Sequence, residues 1–176
     1  MRNLFTGVGV ALITPFNEDY SVDFDALEKL IEDVISEGID YLVVNGTTSE
    51  ASTLSQNEKD DILSFTVKVN NGRKPIMYGI GANNTQHVLE LLEHTDFTHI
   101  SAILTVSPYY NKPSQTGIIA HYNLVADKSP VPVLLYNVPG RTGTNMTSAT
   151  TLELAKHKNI FGTVSYTHLT LPTKRI

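Results

Sequence analysis

Cysteine is absent from this chain, so no disulfide or thiolate chemistry is available to it, which fits a cytoplasmic protein. Nowhere do apolar residues run on for the roughly 18 positions that a membrane-spanning helix needs. The start, Met1-Arg2-Asn3-Leu4-Phe5-Thr6, lacks the apolar core of a secretory signal. There is no basic cluster, and the net charge is -5, which argues against nucleic acid as a partner. Metal-ligand spacing is also missing. Of the six histidines only His94 and His99 lie close together, across a helix-to-strand turn, so no metal is expected. Gly79-Ile80-Gly81 lacks the third glycine of a dinucleotide fingerprint and reads instead as a bend at a strand end.

What is present is an alternation. Short apolar runs at Val8–Ile13, Tyr41–Val44, Pro75–Ile80, Ile100–Val106 and Val131–Tyr136, with another starting at Asn159-Ile160-Phe161, read as strands. Helical stripes fill the intervals. Phe24, Leu27, Leu30, Ile31, Val34 and Ile35 make the first, ended by Gly38. Ser55 and Glu58 form a capping box ahead of the second, with Ile62, Phe65, Thr66 and Val69 on one face. The third runs from Asn84 to Glu93. Ser114 caps a fourth carrying Ile118, Ile119, Tyr122, Val125 and Ala126, and Thr147 opens a fifth with Leu152 and Ala155 facing in. Repeated βα units imply parallel strands with helices packed outside. Two α/β architectures fit, a doubly wound open sheet and a (β/α)8 TIM barrel. A full barrel takes about 250 residues, so 176 residues would hold about the first five βα units and the start of the sixth strand.

Three loops follow predicted strands and hold the chemistry. The first is Asn45-Gly46-Thr47-Thr48-Ser49-Glu50. Its paired hydroxyls beside a glycine suit a small carboxylate, although spacing alone favours a turn with local hydroxyl-to-backbone bonds. The second, Ser107-Pro108-Tyr109-Tyr110-Asn111-Lys112-Pro113, reads on its own as an interface or packing loop. The third, Tyr136-Asn137-Val138-Pro139-Gly140-Arg141-Thr142-Gly143, places a phenol at a strand end and a guanidinium five residues later. These are a proton carrier and a carboxylate clamp, or equally a core tyrosine and a surface charge. In parallel α/β proteins ligands bind beyond the carboxyl ends of strands, where all three loops would lie.

Taken together the three loops, with the opening Gly7-Val8-Gly9-Val10-Ala11-Leu12-Ile13-Thr14-Pro15-Phe16, resemble the dihydrodipicolinate synthase (4-hydroxy-tetrahydrodipicolinate synthase) family. That family belongs to the pyruvate-dependent class I aldolase and N-acetylneuraminate lyase superfamily. The sialic-acid enzymes usually have Ser for the second Thr of the pair and lack the Arg-Thr-Gly, so Thr48 and Arg141 favour the synthase. The resemblance implies a (β/α)8 barrel, a homotetramer built as a dimer of dimers, and no cofactor. It implies condensation of pyruvate with L-aspartate 4-semialdehyde through a lysine Schiff base, in lysine (diaminopimelate) biosynthesis. By the same resemblance Tyr136 is the central proton carrier and Thr47 the relay hydroxyl beside it. Tyr110 is the third relay member, lent across a dimer interface. Thr48 binds the pyruvate carboxylate and Arg141 that of the second substrate. A related aldolase acting on another aldehyde, or a non-catalytic carboxylate-binding protein, are the alternatives.

The chain departs from the family pattern in two places. Family members inhibited by lysine usually carry His or Glu where Lys59 stands, which implies weak feedback inhibition. The Schiff-base lysine would fall at Val164, in the run Asn159-Ile160-Phe161-Gly162-Thr163-Val164-Ser165-Tyr166. Lys156 and Lys158 precede that strand and Lys174 lies in the tail, so none replaces it. The expected division is therefore 1–162 as the N-terminal part of the barrel domain and 163–176 as a non-family tail. Either that tail is translated adapter or vector sequence on a truncated frame, or it is native and divergent. As it stands the chain is expected to be inactive.

Overall fold

The computed structural model describes residues 4–166. Strands and helices alternate in it: β1 (Gly9–Ala11), α1 (Phe24–Ser36), β2 (Tyr41–Val44), α2 (Gln56–Asn70), β3 (Ile76–Gly79), α3 (Thr85–His94), β4 (Ala102–Val106), α4 (Gln115–Lys128), β5 (Val133–Asn137), the one-turn α5 (Pro139–Thr142), α6 (Ser148–Leu154) and β6 (Ile160–Ser165). Two compact units divide these elements. One holds the chain up to Gly79 together with Asp96–Ser101, the other Ile80–Thr95 together with the described residues from Ala102 onward.

In the first unit β1, β2 and β3 are parallel neighbours, with Val10 opposite Leu42 and Val43 opposite Met77. The continuous apolar runs of β2 and β3 are buried, as strands covered on both faces must be. Asp23 caps α1 by accepting the Ala26 N–H, and Gly38, at φ +86°, follows its last turn. The capping box of α2 is formed on both sides: the Ser55 N–H donates to Glu58 at 2.8 Å and the Glu58 N–H to the Ser55 hydroxyl at 3.3 Å. Leu27 and Ile31 of α1 and Ile62 of α2 are buried, and the Phe24 and Phe65 rings meet at 4.9 Å.

In the second unit β4, β5 and β6 are again parallel, with Ile103 opposite Val133 and Leu135 opposite Thr163. Asn84, Ser114 and Thr147 cap α3, α4 and α6. The ladder continues at the ends of β3 and β4. Ser101 donates to the Ile76 carbonyl at 2.8 Å and Ile80 to that of Leu104 at 3.0 Å. Strand order therefore runs with chain order, without the reversal that marks a doubly wound sheet.

One sequence expectation needs correction. Leu152 and Ala155 do not face in. Leu152 is 69% exposed and Ala155 is exposed, while Thr150 and Leu154 make the buried face of α6. Thr150 and Leu154 are four apart and share a side, whereas Leu152, midway between them, projects away. A seven-residue helix is also too short for periodicity to fix its face. The sixth strand continues through Ser165, so Thr163, Val164 and Ser165 pair with Leu135, Tyr136 and Asn137. Residues 167–176, which include most of the expected tail and Lys174, lie outside the described residues.

The core of the second unit holds one titratable group under strain. His121 is 3% exposed. Its Nδ1 lies 2.9 Å from the Thr85 hydroxyl, its ring packs edge-on against Tyr122, and its Nε2 has no partner among the described residues. Burial depresses its pKa to about 4. Between that value and the ordinary 6.5 the unfolded chain binds a proton that the folded chain refuses, so stability falls as pH drops through this window. The loss attributable to His121 amounts to about 3 kcal/mol when complete. Urea midpoints at pH 7 and pH 4.5 should therefore differ more for the wild-type chain than for His121→Gln. Equal differences in the two would refute the assignment.

Candidate active site

Tyr136 is the fourth residue of β5, flanked on both sides by parallel strands. Its Cα partners are Val106 on β4 and Val164 on β6. Paired residues in adjacent strands project from the same face about 4.8 Å apart, so position 164 is the nearest β6 neighbour of the phenol. Tyr136 is half-buried, and its ring meets that of Tyr166 edge-on at 6.0 Å. The chain then turns: Pro139 opens α5, and Gly143 closes it at φ +69°. Arg141 sits exposed on this single turn, beside a buried Thr142 whose hydroxyl reaches the Thr144 carbonyl at 2.8 Å.

The loop after β4 approaches the same turn. Tyr110 is 83% exposed, at φ +75°, and Lys112 is at φ +49°. Non-glycine residues in that region are uncommon and carry a backbone cost of order 1 kcal/mol, so what holds them there has to be found in the surroundings. Part of it is the Tyr110 N–H, which donates to the Thr142 carbonyl at 3.4 Å. The second unit thus brings Tyr110, Tyr136, Arg141 and Val164 to the carboxyl ends of β4, β5 and β6.

Thr47 and Thr48 belong to the first unit and lie on a 3-10 turn after β2. That turn is locked from beneath. The Ser49 hydroxyl donates to the Gly46 carbonyl at 2.7 Å, and the buried Thr14 hydroxyl donates to the Ser49 carbonyl at 2.8 Å. Asn45, buried at φ +54°, donates to the Lys59 carbonyl and to the Tyr78 hydroxyl. The hydroxyl that bonds locally is therefore that of Ser49. The exposed hydroxyls of Thr47 and Thr48 are uncommitted among the described residues. Nearby, Lys59 is half-buried, and desolvation lowers its pKa against the opposing field of Asp60.

One polar group near the site was not legible as such. Tyr122 counts in the sequence as part of an apolar helix face, yet its hydroxyl lies 3.1 Å from that of Ser107 and 3.2 Å from the Thr105 carbonyl. It is fully buried, which pushes the phenol well above its usual range. The available signal was the residue type itself, because a tyrosine in an otherwise aliphatic stripe needs a partner for its hydroxyl.

A model of the dihydrodipicolinate synthetase family matches residues 4–169. Among curated proteins, the chain is 56% identical over 158 residues to the 4-hydroxy-tetrahydrodipicolinate synthase of Cytophaga hutchinsonii, covering 90% of this chain and 53% of that one. It is 55% identical over 159 residues to that of Flavobacterium psychrophilum, covering 90% and 54%. Among solved structures, the chloride-inhibited dihydrodipicolinate synthase from Acinetobacter baumannii, complexed with pyruvate, superposes with a TM-score of 0.88 at 43% identity, over 92% of this chain and 55% of that one. A prophage protein of the dihydrodipicolinic acid synthase family from E. coli K12, in complex with pyruvate, gives 0.86 at 34% identity, over 92% and 55%. The chain spans about half the length of the curated relatives it matches. Its fold is that of a (β/α)8 barrel, of which it supplies five βα units and a sixth strand.

The turn bearing Thr47 and Thr48 depends on a close approach at Gly79. A Cβ there would stand 2.1 Å from the Asn45 carbonyl oxygen, which is main chain and has little room to move. The glycine's role is this contact, in addition to any bend. Gly79→Ala should lower stability by about 1–3 kcal/mol, read from urea unfolding. Gly140→Ala, with nothing within 4 Å, should leave it nearly unchanged. Indistinguishable midpoints for the two variants would contradict the argument.

Proposed function

The chain belongs to the dihydrodipicolinate synthetase family, and from that membership we propose that the protein it represents condenses pyruvate with L-aspartate 4-semialdehyde, a lyase reaction yielding 4-hydroxy-tetrahydrodipicolinate in lysine biosynthesis. The observation that carries the reading is the register of β5 and β6, in which Tyr136 stands opposite position 164. A lysine at that position would share a strand face with the phenol, close enough to exchange protons as an imine forms. The resulting enamine would attack the aldehyde carbon of the second substrate, and the adduct would cyclise.

In this reading Tyr136 carries protons to and from the imine. A phenol with a pKa near 10 is a poor base alone, so Thr47 and the partner subunit's copy of the Tyr110 position complete a hydroxyl relay. Thr48 binds the pyruvate carboxylate. Arg141 takes the carboxylate of the semialdehyde with two parallel hydrogen bonds, and its exposed place on α5 suits it to a ligand arriving from solvent. The full-length protein would act as a dimer of dimers in the cytoplasm. Val164 has no amine, and the covalent step has no substitute here, because Lys156 and Lys158 precede β6. On this reading the chain departs from the family's pattern from Thr163 onward, although the family match runs to residue 169, and the chain as given is inactive.

Borohydride reduction with pyruvate tests the covalent step. The full-length protein with a lysine at the position of Val164 should gain the mass of a reduced pyruvate adduct, and this chain should gain none. An adduct on this chain, at any of its lysines, would overturn the assignment. Regulation gives a second test. A cationic Lys59 opposes the ammonium groups of a lysine ligand, although burial weakens its basicity. Condensation by the full-length protein should hold at millimolar L-lysine, and Lys59→His should increase its sensitivity. Strong inhibition of the unmodified protein would count against this.

A further inference from the structure

The turn that carries Arg141 cannot hold its own shape. It is a one-turn helix with Pro139, Gly140 and Gly143 in or beside it, far below the length at which a helix is stable alone. Its position has to be imposed, and two amide side chains impose it. Asn137, the buried last residue of β5, accepts the Met146 N–H on Oδ1 at 3.0 Å. Its Nδ2 donates to Asn145 Oδ1 at 2.9 Å and reaches the Met146 carbonyl at 3.3 Å. Side-chain amide and main-chain peptide thus bond each other reciprocally, as two strands would. They close residues 138–145 into a ring.

Gln115 grips the same segment from the other side. It is the first residue of α4, which starts where the Tyr110 loop ends. Its Nε2 donates to the Asn145 carbonyl at 2.8 Å, and its Oε1 accepts the Thr147 N–H at 3.0 Å and the Thr150 hydroxyl at 2.6 Å. One end of the Tyr110 loop is thereby fastened to the Arg141 ring through Gln115, and its middle through the Tyr110 N–H on Thr142.

We propose that Asn137 and Gln115 are positioning residues, which lock the Arg141 turn against the Tyr110 loop so that the guanidinium meets the second substrate in one fixed geometry. This deepens the function proposed above and rests on Arg141 as that substrate's carboxylate clamp. The amides touch no reacting atom. Without them the ring recovers the conformational freedom of its eight residues, and the clamp is in place only part of the time.

The test uses the full-length protein containing this segment. Gln115→Met keeps length and helix propensity and removes all three bonds. The expected result is a rise of about tenfold in KM for the aldehyde substrate, with the pyruvate KM within about twofold, the pattern of lost binding at one subsite. Trypsin cleavage after Arg141 should accelerate about tenfold relative to cleavage after Arg73, because the ring opens locally. Gln115→Glu retains the two acceptor bonds but sets an oxygen against the Asn145 carbonyl, and should recover only part of both effects. Unchanged cleavage after Arg141, or acceleration equal to that at Arg73, would overturn the proposal, as would equal rises in both KM values. If the unmodified full-length protein condenses nothing, the functional reading fails, and the cleavage ratio still decides whether the clasp exists.

Discussion

The main-chain ladder on both sides of β5 is the constraint on which the second unit depends. Tyr136 is paired at once with Val106 and Val164. A strand bonded on both edges has no freedom to slide, because a shift of one residue would turn its buried face outward. The phenol is therefore fixed by backbone geometry, before any side-chain contact is counted. The turn beyond it inherits that precision only as far as the Asn137 amide carries it, and from there polar side-chain contacts take over from the ladder.

The candidate residues of each unit have their own supports. The Thr47–Thr48 turn is fixed by a local bond from Ser49, by one from Thr14, 35 positions away in sequence, and by the missing side chain at Gly79. The Arg141 turn is fixed by two amides, Gln115 reaching over 30 positions of sequence and Asn137 over 8. Both schemes leave the chemically interesting groups outside the hydrogen bonding that places them. Thr47, Thr48 and Arg141 are exposed while their supports are buried or half-buried. This separation is physically reasonable, since a group that must bind a ligand gains nothing from being satisfied internally.

Legibility followed the range of the determining contact. The cap at Ser114 and the box at Ser55 and Glu58 could be read directly, because cap and capped amide lie three residues apart. The strands were visible as apolar runs and their parallel order as an alternation. The face of α6 was misread because seven residues make under two turns, and neighbours rather than period decide which side is buried. Gly79 was assigned to a bend because its reason, the Asn45 carbonyl, is thirty-four positions away. Tyr122 is core, as its helical stripe implies, but the partners of its hydroxyl, Ser107 and Thr105, lie outside its helix and leave no local signal. The candidate site itself was readable only as a combination: each loop alone had a plain structural explanation, and three together matched one family.

Position 164 shows why recognising the fold and judging the activity are separate tasks. A β-ladder is built from peptide groups and is nearly indifferent to which side chain each residue carries. β6 therefore forms through Thr163-Val164-Ser165 with the register that a lysine-bearing strand would need. Valine is in fact the better strand former of the two, being β-branched. A valine in place of a lysine would cost the fold nothing that the strand pairing registers, while it would remove the amine that the proposed covalent step requires. Similarity measured over the whole chain averages across some 160 such positions and is dominated by those that specify the barrel. The covalent step proposed above would turn on one nitrogen, and only a reading residue by residue reaches it.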